Sequence, residues 1–360
     1  MIEVPYGDPL LVPVSESDFW QEVDWLGVVF WMMNGLAEQG FEQANGPVHS
    51  YAARLKGWDS RFWDKAWVNR IALFLRAWAE KEGAVMPPLP DPEIILTHDV
   101  DATSKTLVIR AKQMAFHLFN VLRGRGGLNK ALRFMFSPGD YWCFDTIREM
   151  ERAHGVTSHF NFYAGLGQRE GNVKQWLIDP GYDVLSPRLR EIIRRMHEEG
   201  WTVGLHPSFL SWNRLEMLKA EKETLENALD AEVSTCRQHW MMFSWADTWK
   251  CQQDAGFVLD SSLGFNDRSG FRNSAALKFK PWRDGQAMDL EVLPIALMDS
   301  QFYDYAPMDD EERYRKMKGW IDEIKSVHGQ ATVIWHQRVF SSDYGWGHGY
   351  KTLLEMIDNA

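Results

Sequence analysis

Asp99 and Asp101 stand two residues apart at the end of the run IILTHDVD, residues 94–101. On an extended chain, residues i and i+2 point the same way, so both carboxylates lie on one side. Like charges held that close need a cation between them or a shared proton. The apolar residues before them read as a strand buried on both faces. A solvated acidic turn after a strand is the other account, and this stretch alone leaves both open.

Other apolar runs end in the same way. WTVGL runs into His206; later runs end near Arg237 and His239, at Asp260, and at His336. Each residue singly has a structural account. Five strand ends carrying acid, histidine or arginine point instead to one functional constellation, because parallel strands of a barrel deliver their C-terminal ends to a common mouth.

Strands are predicted at 94–97, 157–163, 201–206, 233–237, 257–260, 291–298 and 331–335. Helical patterns lie between them, near 103–122, 145–154, 214–229, 244–255 and 309–327. Another begins at Ser186-Pro187, a capping serine followed by proline at the first helical position, and closes on Gly200. Strand–helix alternation over about 270 residues gives an α/β architecture with a parallel sheet, enough chain for a closed or nearly closed barrel. The stretch 110–133 is locally basic, with Arg123, Arg125, Lys130 and Arg133 among its residues. It reads as a solvated face, with anion binding as the alternative.

Residues 1–90 read as a mostly helical extension, and 91–360 as the barrel. Ser17 and Asp18 are placed to cap a helix reaching about Gln39, with Phe19, Val23, Leu26, Phe30 and Met33 on one face and Gly40 as its end. A second helix over 61–82 carries Phe62, Trp63, Trp67, Ile71, Phe74 and Trp78. That stripe suits core packing, and two helices of this length bury too little alone, so it is expected to pack on the barrel. MPPLPDP, residues 86–92, has four prolines in seven residues and marks the boundary.

Composition narrows the function. The net charge of −11 disfavours a general nucleic-acid binder. Cys143, Cys236 and Cys251 have no paired metal spacing and read as free thiols of a reducing compartment. The start lacks a basic, then apolar, leader pattern, and the most apolar segment, 25–33, is too short to cross a bilayer. A cytosolic protein is the expectation.

Taken together, ILTHDVD (94–101), SHFNF (158–162), DPGYDVLSPRLREII (179–193), VGLHPS (203–208), RQHW (237–240), DSSLGF (260–265), GFRN (270–273) and IWHQ (334–337) resemble the polysaccharide deacetylases of the NodB-type carbohydrate esterase group. The branch they resemble has THDVD as its first motif and is found around surface-polysaccharide (O-antigen or capsule) biosynthesis. The resemblance implies a distorted (β/α) barrel of the NodB type with an N-terminal helical extension. It implies removal of N- or O-linked acetyl groups from sugars with one divalent metal, usually zinc. By the same resemblance Asp99 is the general base, Asp101 and His206 are metal ligands, Arg237 orients the base, Asp260 is the acid of the fourth motif and His336 is the general acid.

One departure stands out. The family's second motif supplies two histidines four residues apart, but Leu210 follows His206 at that spacing. His239 is the leading substitute, where the family has proline; His98 is a second candidate, although alternation points it away from Asp99. A simple hydrogen bond from His239 to Asp99 or Asp101 is the competing account. Trp240, Trp282, Trp335 and Trp346 suit stacking on sugar faces, with core packing equally open for some. Arg272 suits the carboxylate or phosphate of an acidic or activated sugar, which fits a nucleotide- or lipid-linked precursor. Two other readings remain: a metal-free or altered hydrolase of another C–N bond, and a carbohydrate-binding pseudoenzyme.

Overall fold

Eight parallel strands make the main sheet: β1 Glu93–Val100, β2 His159–Phe162, β3 Thr202–Leu205, β4 Thr235–Cys236, β5 Leu259–Asp260, β6 Glu291–Val292, β7 Ile295–Met298 and β8 Gln330–Ile334. Their order is β6-β5-β4-β3-β2-β1-β8-β7. The computed structural model describes residues 2–4, 10–12, 23–122, 128–137, 140–169, 171, 173–305 and 308–358. Ser17, Asp18, Phe19, Arg123 and Arg125 lie outside them, as do the side chains of Lys130 and Arg133.

The shape follows from the two edges. One stretch, 291–298, supplies both: β6 pairs with β5, and β7 pairs with β8. Only Leu293 and Pro294 separate β6 from β7, so a flat sheet is impossible and the strands curl into a distorted (β/α) barrel. The apolar run 291–298 predicts a single strand, and the structure divides it in two. Proline has no N–H to give a ladder, and the break falls there. Leu293 N donates to Asp260 O (2.8 Å), while Pro294 O accepts from Thr332 N (2.8 Å), so the crossing residues bind both sides.

Helices cover the outside. Phe144–Ala153, Pro187–Glu198, Leu215–Leu229, Thr248–Asp254, Asp310–Ser326 and Gly347–Asp358 return the chain from one strand to the next or close the barrel. Their apolar faces meet the outward residues of the strands in one large core, which holds Leu96, Phe160, Val203, Leu205, Leu218, Ile321, Val333 and Trp335. Ser186 and Pro187 start their helix as the sequence implied.

The N-terminal helices depart in detail. The chain breaks at Asn34-Gly35 into Trp25–Met33 and Leu36–Asn45; Gly40 lies inside the second helix and Gly46 follows its end. Gly35 has φ +57°, and a Cβ there would meet the Trp245 ring at 2.3 Å, so the turn needs glycine. Trp25 and Met32 form the buried face, while Leu26 is 68% exposed. WLGVVFWMM is apolar all round, so periodicity had no polar side to work against.

Both N-terminal helical regions sit on the barrel. Trp25, Met32, Val68 and Ile71 cluster with Ala275, and Trp63 with Phe265. Buried Glu323 accepts from Lys65 Nζ (2.9 Å), Ala66 N (3.1 Å) and Arg70 Nε (2.7 Å). Buried Glu38 pairs with Arg272. Residues 86–92 are irregular and mostly exposed.

Candidate functional site

Asp99 is the seventh residue of β1, and Asp101 lies just past its end. Alternation turns His98 the other way. Its Nδ1 faces Trp335 O (2.6 Å) and its Nε2 faces Glu151 Oε1 (2.9 Å), so it is a buried structural residue and no metal candidate. Asp99 Oδ1 accepts from Asn161 Nδ2 on the neighbouring strand (2.9 Å), with Arg237 Nη1 at 3.8 Å. Asp99 Oδ2 lies 4.0 Å from His206 Nε2. Burial pushes the Asp99 carboxyl up, but at the acid pH where it titrates the protonated His206 and His336 rings, the Arg237 guanidinium and the Asn161 bond outweigh it. The result is about 2, so Asp99 is ionised at any ordinary pH.

Arg237, at the end of β4, is wholly buried. Its Nη1 donates to Thr97 Oγ1 (2.8 Å) and its Nε to Ser261 Oγ (3.1 Å), which fixes the guanidinium beside Asp99.

Asp101, His206 and His239 converge. One ligand atom from each lies within 4.8 Å of the other two. Asp101 Oδ1 is 3.5 Å from His206 Nε2 and 3.6 Å from His239 Nε2. The far nitrogen of each ring fixes its tautomer. His206 Nδ1 sits 2.7 Å from the Arg237 carbonyl, and His239 Nδ1 sits 3.1 Å from Asp179 Oδ1. Both neighbours accept only, so each Nδ1 carries the hydrogen and each neutral ring turns a bare Nε2 lone pair inward. Burial lowers both pKa values, that of His239 to about 4, so both rings are neutral near pH 7.

Three bare acceptors therefore face one point, and buried Asp101 Oδ1 has no hydrogen-bond partner among the described residues. Without a cation that arrangement is repulsive. Tetrahedral zinc with N and O ligands at about 2.0–2.2 Å separates its ligand atoms by roughly 3.3–3.6 Å. The residues fit a divalent ion with one position left open. His239 Nε2 thus stands beside His206 Nε2 and Asp101 Oδ1, where the spacing from His206 to Leu210 left a third ligand atom without a source.

His336, just beyond β8, closes the far side. Its Nδ1 lies 2.9 and 3.1 Å from the two Asp299 oxygens, and its backbone N donates to Asp299 Oδ2 (2.6 Å). Its Nε2 faces Asp101 Oδ2 at 3.6 Å. Burial pulls the His336 pKa down, but the Asp299 charge and hydrogen bond outweigh it and the net shift is upward. Arg338 also pairs with Asp101 Oδ2, leaving Oδ1 as the oxygen turned to the two histidines.

Trp240 lies at the rim, 42% exposed, its ring 6.3 Å from that of His239. Its left-handed backbone (φ 56°) is held by hydrogen bonds from Ser50 Oγ (2.9 Å) and Asn266 Nδ2 (2.7 Å) to its carbonyl. Trp335 and Trp346 are buried core residues, and Trp282 packs edge-on against Phe30.

Two sequence candidates lie elsewhere. Asp260 is fully buried behind Arg237, its oxygens taken by Trp249 Nε1 (3.0 Å), Gln252 Nε2 (2.8 Å) and Ser262 N (3.0 Å). Its oxygens are engaged inside the fold and none faces the acceptor cluster, so it does not reach a substrate, and its charge acts on Arg237. Arg272 is a correction too: its nitrogens bind Glu38 and the Gly264 carbonyl (3.2 Å), between the Phe243 and Phe265 rings. It secures the N-terminal helix and offers nothing to an anionic sugar.

Sequence reasoning missed Asp179, Asp299, Asn161 and Arg338. Asp299 had a signal, since it ends the apolar run 291–298 as the other site residues end theirs. Asp179 had one as well, since it opens the motif 179–193.

No protein-family model and no curated protein matches this sequence. Among solved structures, it is similar to a Mycobacterium smegmatis protein assigned to the polysaccharide deacetylases, at 15% identity and TM-score 0.48 over 76% of this chain and 86% of that one. An allantoinase gives 12% identity and TM-score 0.45, covering 76% and 87%. A CE4 family pseudoenzyme from Bacillus anthracis gives 10% identity and TM-score 0.35, covering 76% and 66%. All three scores lie below 0.5.

Proposed function

We propose that this chain is a metal-dependent hydrolase that removes an N- or O-linked acetyl group from a sugar during surface-polysaccharide synthesis. The supporting observation is the convergence of three bare acceptor atoms, from Asp101, His206 and His239, between an ionised Asp99 and a proton-bearing His336. Asp101, His206 and His239 would hold a divalent ion, which would supply Lewis acidity to a carbonyl and to water. Sugar stacking falls to Trp240 at the rim.

The residues then divide the proton work. Asp99, held at about 2, is a weak base, so it accepts a proton only from a water already made acidic. Arg237 and Asn161 keep its free oxygen turned to the cluster. His336 carries the opposite duty. Asp299 holds a hydrogen on Nδ1 and favours the imidazolium, whose Nε2 hydrogen points into the site for the departing amine or alkoxide.

Asp99→Asn should abolish turnover of an acetamido or O-acetyl sugar by zinc-loaded protein, with zinc affinity kept within a few-fold. Steady-state kinetics beside a zinc competition titration test it. Wild-type kcat/KM in the variant would overturn the assignment of Asp99. Zinc-loaded wild-type protein inert on both sugars would overturn the deacetylase reading and favour another C–N substrate or a binding role.

A further inference from the structure

The helices Leu107–Leu122 and Leu128–Phe136 form a hairpin that leaves the barrel directly after Asp101. Its inner side is well tied down. His117 stacks on Phe134 at 4.5 Å, Arg110 Nη1 donates to the carbonyls of Met135 and Ser137 (both 2.8 Å), and Lys105 binds Ser137 Oγ (2.6 Å) and Asp343.

The outer side runs against the usual pattern. On a soluble surface helix the exposed stripe is polar. Among the described residues, the exposed ones of the first helix are Leu107, Val108, Ala111, Ala115 and Leu122, which recur at helical spacing along one face. Those of the second include Leu128, Leu132 and Phe136, one turn apart. Leu107, Leu122 and Phe136 are 76, 86 and 75% exposed. Large apolar side chains this exposed, repeated along both helices, mark a docking face.

Charge says what docks. From Ala102 to Gly139 the sequence holds Lys105, Arg110, Lys112, Arg123, Arg125, Lys130 and Arg133 and not one acid. At the chain's density of 50 acids in 360 residues, a stretch this long would carry about five. An acidic protein has thus concentrated positive charge in a segment whose two helices each carry an apolar outer stripe. A second copy of the hairpin would bring the same sign of charge against it. An anionic lipid surface instead complements both features, taking the apolar stripes at the headgroup boundary and the cations at the phosphates. None of the described helices is long and apolar enough to cross a membrane, so the contact is interfacial.

We propose that this hairpin docks the protein on an anionic membrane surface, which brings the mouth beside Asp101 to the bilayer. Such docking is independent of what the mouth hydrolyses. The test is flotation of the full chain with phosphatidylcholine vesicles, with and without about one phosphatidylglycerol in three lipids, at low and high salt. Binding is expected only to the anionic vesicles, and weaker at high salt. The exposed-site variant Leu128→Glu, Leu132→Glu, Phe136→Glu should lower the bound-to-free ratio at least tenfold, and Arg123→Gln with Arg125→Gln should lower it roughly 30-fold, the loss expected for two basic residues at the surface. Wild-type protein that stays unbound, that binds both vesicle types equally, or that forms dimers split by the triple glutamate variant would each overturn the proposal.

Discussion

Asp179 offers the sharpest test of the metal site, because it touches no substrate and sits one residue away from the point where the acceptors meet. Its Oδ1 accepts from His239 Nδ1 at 3.1 Å and from Phe209 N at 2.8 Å. It thereby sets the tautomer that turns His239 Nε2 inward. Removing a charge-assisted hydrogen bond of this kind costs about 1.5–3 kcal/mol. At about 1.4 kcal/mol per factor of ten, that is roughly 10- to 100-fold in metal affinity, the range seen for carboxylates behind ligating histidines. Asp179→Ala should therefore weaken zinc binding by about that much. Asp179→Asn keeps an oxygen where Oδ1 accepts and places its amide at Oδ2, which has no partner among the described residues, so its loss should be smaller, about tenfold or less. Chelator-stripped protein titrated against a chromophoric zinc competitor at pH 7 gives both constants, and thermal melts check folding. Asp299→Ala is the control. It too removes a buried carboxylate behind a histidine, but His336 is outside the acceptor trio, so zinc affinity should stay within about threefold. Folded Asp179→Ala with wild-type affinity, or equal losses in Asp179→Ala and Asp299→Ala, would refute the reasoning.

Two further predictions concern pH. Asp299 raises the His336 pKa against its burial, so the alkaline fall in kcat for an amide substrate should move to lower pH in Asp299→Asn; an unmoved alkaline limb in a pH–rate profile would remove His336 as the acid. Buried Glu221, bonded to Ser208 N (2.8 Å), has its carboxyl pushed by desolvation up to about 8 from 4.5. Its folded pKa exceeds the unfolded one, so the native state binds more protons across that window and stability falls as pH rises from about 4.5 to 8, by about 4 kcal/mol. Glu221→Gln should lose most of that slope in denaturant melts at pH 5 and pH 8, and parallel wild-type and variant curves would contradict it.

The legible parts of the molecule were those set by local periodicity. β1 was visible as an apolar run, and the opposed directions of His98 and Asp99 followed from alternation alone. The same rule did not reach 291–298, because a continuous apolar stretch does not say that it serves two edges of one sheet. Pro294 was the local sign, and its meaning depended on a closure only the whole barrel defines. The first N-terminal helix failed for the opposite reason: with apolar residues on every side, no face was marked. Arg272 misled because a basic residue in a quoted motif near the mouth looked like a ligand contact, while its partner Glu38 lies 234 residues away in sequence.

His239 illustrates why the site was partly legible. A metal ion requires lone pairs at points in space, and a motif is only the commonest way for one backbone to deliver them. With Leu210 in place of the second histidine, spacing from His206 predicts a ligand missing. The neighbouring strand end brings a histidine to the same place, because β3 and β4 lie side by side in the sheet and their ends emerge together. Residues 206 and 239 are thus far apart along the chain yet bring their rings to 4.9 Å across one mouth. Asp179 then fixes the ring from a third segment, the one before Pro180. No window of sequence contains all three, so the spacing rule that marks the absence of a histidine cannot mark its replacement; only the pairing of adjacent parallel strands does.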